Sequence, residues 1–339
     1  MHEFGPPEIL RCEDVDTPKP GPGEVLVKVG AVSVNRTLDL IVRAGEYVTR
    51  PKLPHVLGVD PAGTVADVGE GVVNVRVGQR VALLGTARCG KCEACLSGRE
   101  ASCKEPQHLG VSRWGGYAEY VGAPAHMALS IPDGLGFAQA SVVSRHFPTA
   151  YNLVEYKARL QPGEWILVMG AAGALGSAAV QIAKHIGAHV IAAAGSDERV
   201  HSCVVNGADF GVNYRKQDLA AEVMRITDGH GADVVVENIA DPTLWPGAFN
   251  SLAFEGRLVT AGAHGGGTVS LDVKRLYLKR LTIIGSPGGT PRDAVRALEL
   301  AAQGKVKAVI GTTMPLCEAA EAHRIVQRNA VIGKVMLEP

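Results

Sequence analysis

The short apolar run Trp165-Ile-Leu-Val-Met169 ends directly in Gly170-Ala-Ala-Gly173-Ala-Leu-Gly176, and Ala178, Ala179, Ile182 and Ala183 follow at helical spacing. A strand that turns through glycines into a helix opens a βαβ unit, and few other folds accommodate it. The glycines allow a tight turn and let backbone N–H groups reach a pyrophosphate at the positive end of the helix dipole. The spacing is G-x-x-G-x-x-G, not the stricter G-x-G-x-x-G, but the same physics applies. Further short apolar runs at 189–194, 233–237, 258–261 and 281–284 alternate with helical patterns, which predicts a parallel sheet. The tail from 291 to 339 reads as helix, strand, helix and strand.

The end of the second strand bears on which dinucleotide is held. An acidic side chain there would bind the ribose hydroxyls and repel a 2′-phosphate. This chain has Ala194-Gly195-Ser196 instead, with Arg199 one turn on and Tyr214 after the third strand. Ser196 and Tyr214 can donate hydrogen bonds and Arg199 supplies charge, so the reading favours NADPH over NADH. Ser196 also suits a helix cap, with Asp197 and Glu198 in the first turn.

The first third is β-rich, with valine-dense stretches broken by turns such as Lys19-Pro20-Gly21-Pro22-Gly23. Within it stands Cys89-x2-Cys92-x2-Cys95-x7-Cys103. Four thiolates at such spacing can wrap one zinc tetrahedrally, leaving no open position for water, so the expected role is structural. Cys12, Cys203 and Cys317 are scattered and are expected as small buried core residues. Acidic and basic residues balance at 34 each, which removes the usual footprint of a nucleic-acid or anionic-membrane partner. With no leader-like opening and no apolar run of spanning length, a soluble cytoplasmic protein is expected.

Taken together, these features resemble the medium-chain dehydrogenase/reductase superfamily of zinc alcohol dehydrogenases and quinone oxidoreductases. The likeness spans the chain through Gly21-Pro-Gly-Glu-Val, Gly69-Glu-Gly-Val-Val, Val77-Gly-Gln-Arg-Val, the cysteine segment, Gly115-Gly-Tyr-Ala-Glu-Tyr120 and Gly333-Lys334-Val. It implies an α/β protein, a Rossmann doubly wound parallel sheet inserted into a β-rich GroES-like catalytic domain. Expected bounds are 1–146 and 286–339 for the catalytic domain, with a zinc lobe at about 86–110, and 147–285 for the Rossmann domain. The resemblance further implies one more strand ahead of residue 1, a small-molecule substrate in the cleft between domains, and a homodimer or homotetramer. Segment 281–289 is the candidate contact. Cofactor contacts are expected from Thr149, Gly170, Ala172, Gly173, Ala174, Leu175, Asn238, Ala261, Gly262 and Lys334, beside Ser196, Arg199 and Tyr214.

Zinc-dependent relatives in this superfamily hold a catalytic metal through a Cys, a His in Gly-His-Glu, and a later Cys. The matching positions here carry Arg36, Val59 and Arg145, none of which can serve as the expected ligand. Asn35 and the Arg43-Ala-Gly-Glu-Tyr47 segment look instead like the zinc-free quinone oxidoreductase branch, which usually lacks the cysteine lobe. Hydride transfer without a metal still needs something to hold the charge that grows on oxygen. A conjugated enone, enoyl thioester or quinone suits that need, because its charge spreads into an enolate. Arg36 and Arg145 are the candidate oxyanion or carboxylate partners and Tyr47 the candidate proton donor. The competing role for the two arginines is to pair with Asp39 and Asp60 where the metal would sit. His108 and His146 read as packing or hydrogen-bonding residues. A metal-independent carbonyl reductase or alcohol dehydrogenase is the second reading of function, and a non-enzymatic NADPH-binding protein the third.

Overall fold

Strand β1 (Glu24–Ser33) is valine-rich, as suits a strand buried along most of its length, and only Lys28 along it is exposed. The computed structural model describes residues 1–97 and 102–339. After β1 the chain makes a π-turn over Arg36–Leu40 and one helical turn, α1 (Ile41–Ala44), closed by Gly45 at φ 76°. Strands β2 (Ala62–Val68), β3 (Arg80–Leu83) and β4 (Thr86–Ala87) follow, then α2 (Glu93–Leu96) and β5 (Gln107–His108). Next come β6 (Tyr120–Pro124), β7 (Ala128–Ser130) and α3 (Phe137–Tyr151).

Strands and helices then alternate. They run β8 (Trp165–Met169), α4 (Ala174–Ile186), β9 (His189–Ala194), α5 (Asp197–Val205), β10 (Phe210–Asn213) and α6 (Leu219–Ile226). The second half is β11 (Ala232–Val236), α7 (Trp245–Asn250), β12 (Leu252–Thr260), α8 (Val273–Leu278), β13 (Thr282–Gly285) and α9 (Pro291–Ala302). The chain finishes with β14 (Ile310–Pro315), α10 (Ala319–Arg328) and β15 (Lys334–Glu338).

Two compact units result: Met1–Arg145 with Ile310–Pro339, and His146–Val309. In the first, strands lie in the order β14-β15-β1-β2-β3-β7, with β6 also on β1. The pairing of Val32 with Leu337 and Ser33 with Met336 brings the end of the chain beside β1. In the second, the order is β10-β9-β8-β11-β12-β13, all parallel. Renumbered within the unit, that order is 3-2-1-4-5-6, the doubly wound arrangement of dinucleotide-binding halves. Its central strands are buried on both faces, which is why they read as continuous apolar runs.

The expected boundary after 285 falls inside the second unit, which runs to Val309. Helix α9 is held there by side chains that follow α3: Tyr156 donates to Asp293 at 3.1 Å, and Arg296 pairs with Glu155 at 2.8 Å. Gln181 on α4 likewise bonds the backbone of Lys307. Of the three scattered cysteines, Cys203 is buried as expected, whereas Cys12 and Cys317 are exposed, in a loop and in a short 3-10 turn. Among the described residues no helix is long and apolar enough to cross a membrane.

Candidate functional site

In the second unit, Gly170 adopts φ 60° at the end of β8 and Gly173 is the N-cap of α4. A β-carbon on Gly176 would overlap the Gly170 carbonyl and lie 2.7 Å from Ala171 Cα, so only glycine lets the helix close on the turn. Ala172 is buried at this turn, and Ala174 and Leu175 are half-buried in the first turn of the helix. At the end of β11, Asn238 Oδ1 accepts from the Ala261 amide at 2.9 Å. Its Nδ2 is buried without a partner, a donor left for a ligand acceptor. Gly262 adjoins the Asn238 carbonyl, and Thr149 is half-buried on α3. A helix N-terminus over a glycine turn and an orphaned amide donor fit a bound dinucleotide.

The end of β9 gathers the other predicted contacts. Ser196 caps α5 by accepting from the Arg199 amide at 3.4 Å. Asp197 is turned to Asn213 at 2.6 Å and to Lys216 at 2.5 Å, so its charge is already engaged. A β-carbon on Gly195 would lie 2.9 Å from Tyr214 Oη and 3.3 Å from Arg215 Nε. Burial pushes the Tyr214 hydroxyl up, opposed by Arg215 and Arg199. Sequence reasoning missed Arg215; its signal was adjacency to Tyr214 at the end of β10.

In the first unit, Cys89, Cys92, Cys95 and Cys103 bring their sulfurs within 4.8 Å of one another. Cys92 and Cys95 Sγ are 3.5 Å apart and Cys89 and Cys95 Sγ 3.9 Å, with no disulfide among them. A tetrahedron with Zn–S of about 2.3 Å has edges of about 3.8 Å, so the four thiols fit zinc. Gly90 at φ 69° and the start of α2 at Cys92 fold the loop, and the short β4–β5 pair closes it. Residues 98–101 of the predicted lobe lie outside the described residues. One zinc per chain is the expected result of elemental analysis. Cys92→Ser should lower zinc content and melting temperature together; two zincs per chain would contradict the assignment.

A third cluster, of buried carboxylates and a lysine, gathers at the end of β1 and the π-turn after it. Asp60 is buried and accepts from Ser33 N at 3.0 Å, Ser33 Oγ at 2.5 Å and Asn35 Nδ2 at 3.1 Å. Asp39, also buried, accepts from the amides of Asn35 at 2.8 Å and Gly58 at 3.0 Å. Its position follows from the π-turn, a feature frequent at functional sites. Lys334 is buried beside them, donating to the Val34 carbonyl and to Asn35 Oδ1, both at 2.8 Å. Burial first, then the neighbouring Asp60, pushes Asp39 up to about 7, and burial holds Lys334 down to about 8.

The competing role weighed for Arg36 and Arg145, pairing with the two aspartates, is filled by other groups. The hydrogen bonds come from Ser33, Asn35 and Gly58, and the buried cation is Lys334. Lys334, expected at the cofactor, spends its ammonium on Val34 and Asn35. Arg36 is exposed and donates to the Val326 carbonyl. The Arg145 guanidinium is half-buried: a β-carbon on Gly85 would touch its Nη1 at 3.2 Å and the Val59 carbonyl at 3.0 Å. Burial first, with its charge adding, lowers the pKa of both Lys334 and His108. Tyr47 is half-buried against the apolar group of Val42, Leu57, Val59 and Val111. A second metal does not fit this donor set, because both carboxylates are engaged and an ammonium and a guanidinium stand beside them.

Comparison with known proteins agrees with this architecture. Residues 21–133 match the alcohol dehydrogenase GroES-like domain and residues 174–303 the zinc-binding dehydrogenase family. An alcohol dehydrogenase of Geobacillus stearothermophilus is 34% identical over 97% of this chain and 96% of its own. A crystal structure of an NAD-dependent alcohol dehydrogenase superposes with a TM-score of 0.95 at 38% identity, covering 100% of this chain and 98% of that one. The structure of AibC superposes at 0.93 with 34% identity, covering 100% and 94%. With its GroES-like and Rossmann units and a four-cysteine zinc-binding cluster, the chain belongs to the medium-chain dehydrogenase/reductase superfamily and is an NAD(P)H-dependent oxidoreductase.

Proposed function

We propose that this oxidoreductase uses NADPH to reduce an activated double bond, in an enone, enoyl thioester or quinone, without a catalytic metal. The observation that carries the reading is Arg145, a half-buried guanidinium with no hydrogen bond or ion pair among the described residues. It stands beside Val59, at the loop where zinc-dependent relatives place a ligand. A desolvated cation without a counterion is costly unless a ligand supplies the charge. An enolate oxygen, or a carboxylate on the substrate, supplies it. NADPH, held at the Gly170–Gly176 turn and by Asn238, would supply the hydride. Arg145 holds the oxygen on which charge accumulates, and Tyr47 is the candidate donor of the proton to the α-carbon. Arg36, directed to the α10 backbone, serves as an outer positive charge. With deuterium on the transferring carbon of the nicotinamide, label should appear at the β-carbon of the product. Label on a carbinol carbon would favour the second reading, carbonyl reduction, which the names of the alcohol dehydrogenase relatives support.

The NADPH preference rests on Arg199, Tyr214 and Arg215 gathered at the end of β9, with no free acid among them. Arg199→Ala and Arg215→Ala should each weaken NADPH by about 1–3 kcal/mol and leave NADH nearly unchanged, as measured by cofactor titration. Equal losses for both cofactors would count against it. The same reading includes a homodimer or homotetramer joined through β13, an edge strand with Ile283 exposed and Tyr277 and Leu278 exposed on α8. Light scattering that gives a monomer at micromolar concentration would remove that part.

A further inference from the structure

A line of buried polar side chains in the first unit leads to Asp39 and has no part in the proposed chemistry. Arg43, on α1, donates through Nε to the Gly5 carbonyl at 3.0 Å, and its Nη1 lies 3.2 Å from His323 Nδ1. His323, on α10, is fully buried, with Nε2 3.2 Å from the Tyr117 hydroxyl and the two rings edge-on at 5.8 Å. Burial first, then the charges of Asp39 and Asp60, pushes that hydroxyl well up, and Asp39 meets Tyr117 through the Gly58 turn that both hold.

Donor and acceptor roles along this line follow from elementary chemistry. A guanidinium only donates, so His323 Nδ1 accepts from Arg43. Burial and the Arg43 charge hold His323 at about 3, hence neutral. A neutral imidazole that accepts at Nδ1 carries its proton on Nε2, so Nε2–H donates to Tyr117 Oη. The tyrosine's own proton is then left for Asp39. From Arg43 Nη1 inward each donor therefore points toward Asp39, and the line relays no proton, because its outer end is a guanidinium that does not give one up.

Tyr117 also seats the turn that Asp39 holds. Its amide donates to the Leu57 carbonyl and that of Gly116 to the Gly58 carbonyl, both at 2.8 Å. Gly58 has φ 100°, and a β-carbon there would meet Tyr117 Cδ1 at 2.5 Å and Tyr117 N at 2.7 Å. Asp39 accepts from Gly58 on the other side of the same turn, and Val59 and Asp60 follow directly.

We propose that Tyr117 and His323 are positioning residues that favour the ionised form of Asp39 under the Gly58 turn and so fix the aspartate–lysine cluster beside Arg145. Its bearing on turnover rests on the function proposed above; its bearing on Asp39 does not. The charged groups around Asp39 are Asp60 after the turn, Lys334 on β15, Arg43 on α1 behind neutral His323, and Arg145 beyond Lys334.

The test is a pH titration of the aspartate carboxyl carbons by NMR, with Asp39 assigned by its loss in Asp39→Asn. Tyr117→Phe keeps the ring and removes one donor, and should raise the Asp39 midpoint by about one pH unit. His323→Leu should do the same. His323→Gln, whose carbonyl accepts from Arg43 and whose amide donates to Tyr117, should restore the original midpoint. The acid limb of the kcat profile should move with the midpoint. A melting temperature that falls while the Asp39 midpoint stays in place would overturn the proposal. A midpoint that moves while turnover keeps its pH profile would uphold the positioning role and instead remove the cluster from the reaction. Should His323→Leu fail to fold, Tyr117→Phe decides alone.

Discussion

Arg145→Met is expected to lower kcat on an enone or enoyl thioester about 100- to 1000-fold. That is the range for removing one preorganised partner of a developing oxyanion. NADPH affinity and melting temperature should stay near those of the parent, because Arg145 makes no hydrogen bond or ion pair among the described residues. Methionine keeps the apolar stem and removes the guanidinium with its charge and its donors. Relief of repulsion with Lys334 and His108 should also let both titrate at higher pH than before. Steady-state kinetics and a thermal melt on the one variant separate the possible roles. Unchanged turnover with a large loss of stability would show a structural counterion, and the oxyanion role would fall.

Lys334→Met carries the largest stability effect. The lysine is the cation buried beside Asp39 and Asp60, and removing one member of a buried charge cluster costs about 3–5 kcal/mol. Melting temperature should drop accordingly, and Lys334→Arg should recover part of it. The pH dependence has a definite sign. Lys334 titrates at about 8 in the fold against an ordinary 10.5, so between those values the unfolded chain binds more protons and stability rises with pH. Asp39 titrates at about 7 against an ordinary 3.8, so between those values the folded chain binds more protons and stability falls as pH rises. Together the two groups place a stability trough near pH 7–8. Lys334→Met should abolish the rise on the alkaline side, and Asp39→Asn the fall on the acid side. A stability curve unchanged in shape by either substitution would contradict this assignment of charge.

What could be read from the amino-acid order was whatever is encoded locally. The run from Trp165 to Gly176 announces a strand, a tight turn and a helix within a dozen residues, and the structure forms them there. Four cysteines between 89 and 103 announce a metal lobe for the same reason. The acid cluster was not legible. Its lysine lies about three hundred residues from Asn35, and only the pairing of β1 with β15 brings them together. Nothing near Lys334 distinguishes an ammonium aimed at a phosphate from one buried against carboxylates. Arg43, His323 and Tyr117 are likewise joined by tertiary packing alone. The unit that runs to Val309 is tied by side-chain contacts, Tyr156–Asp293, Glu155–Arg296 and Gln181–Lys307, which carry no periodic signal.

The central claim is metal-free reduction of an activated double bond, and one measurement addresses it directly. NADPH oxidation should be followed with enoyl thioesters, enones, quinones and simple aldehydes as acceptors, on enzyme whose zinc content has been determined. The account predicts turnover on the conjugated acceptors at one zinc per chain, unaffected by added zinc. Turnover confined to aldehydes or alcohols, and rising as a second zinc is bound, would contradict it.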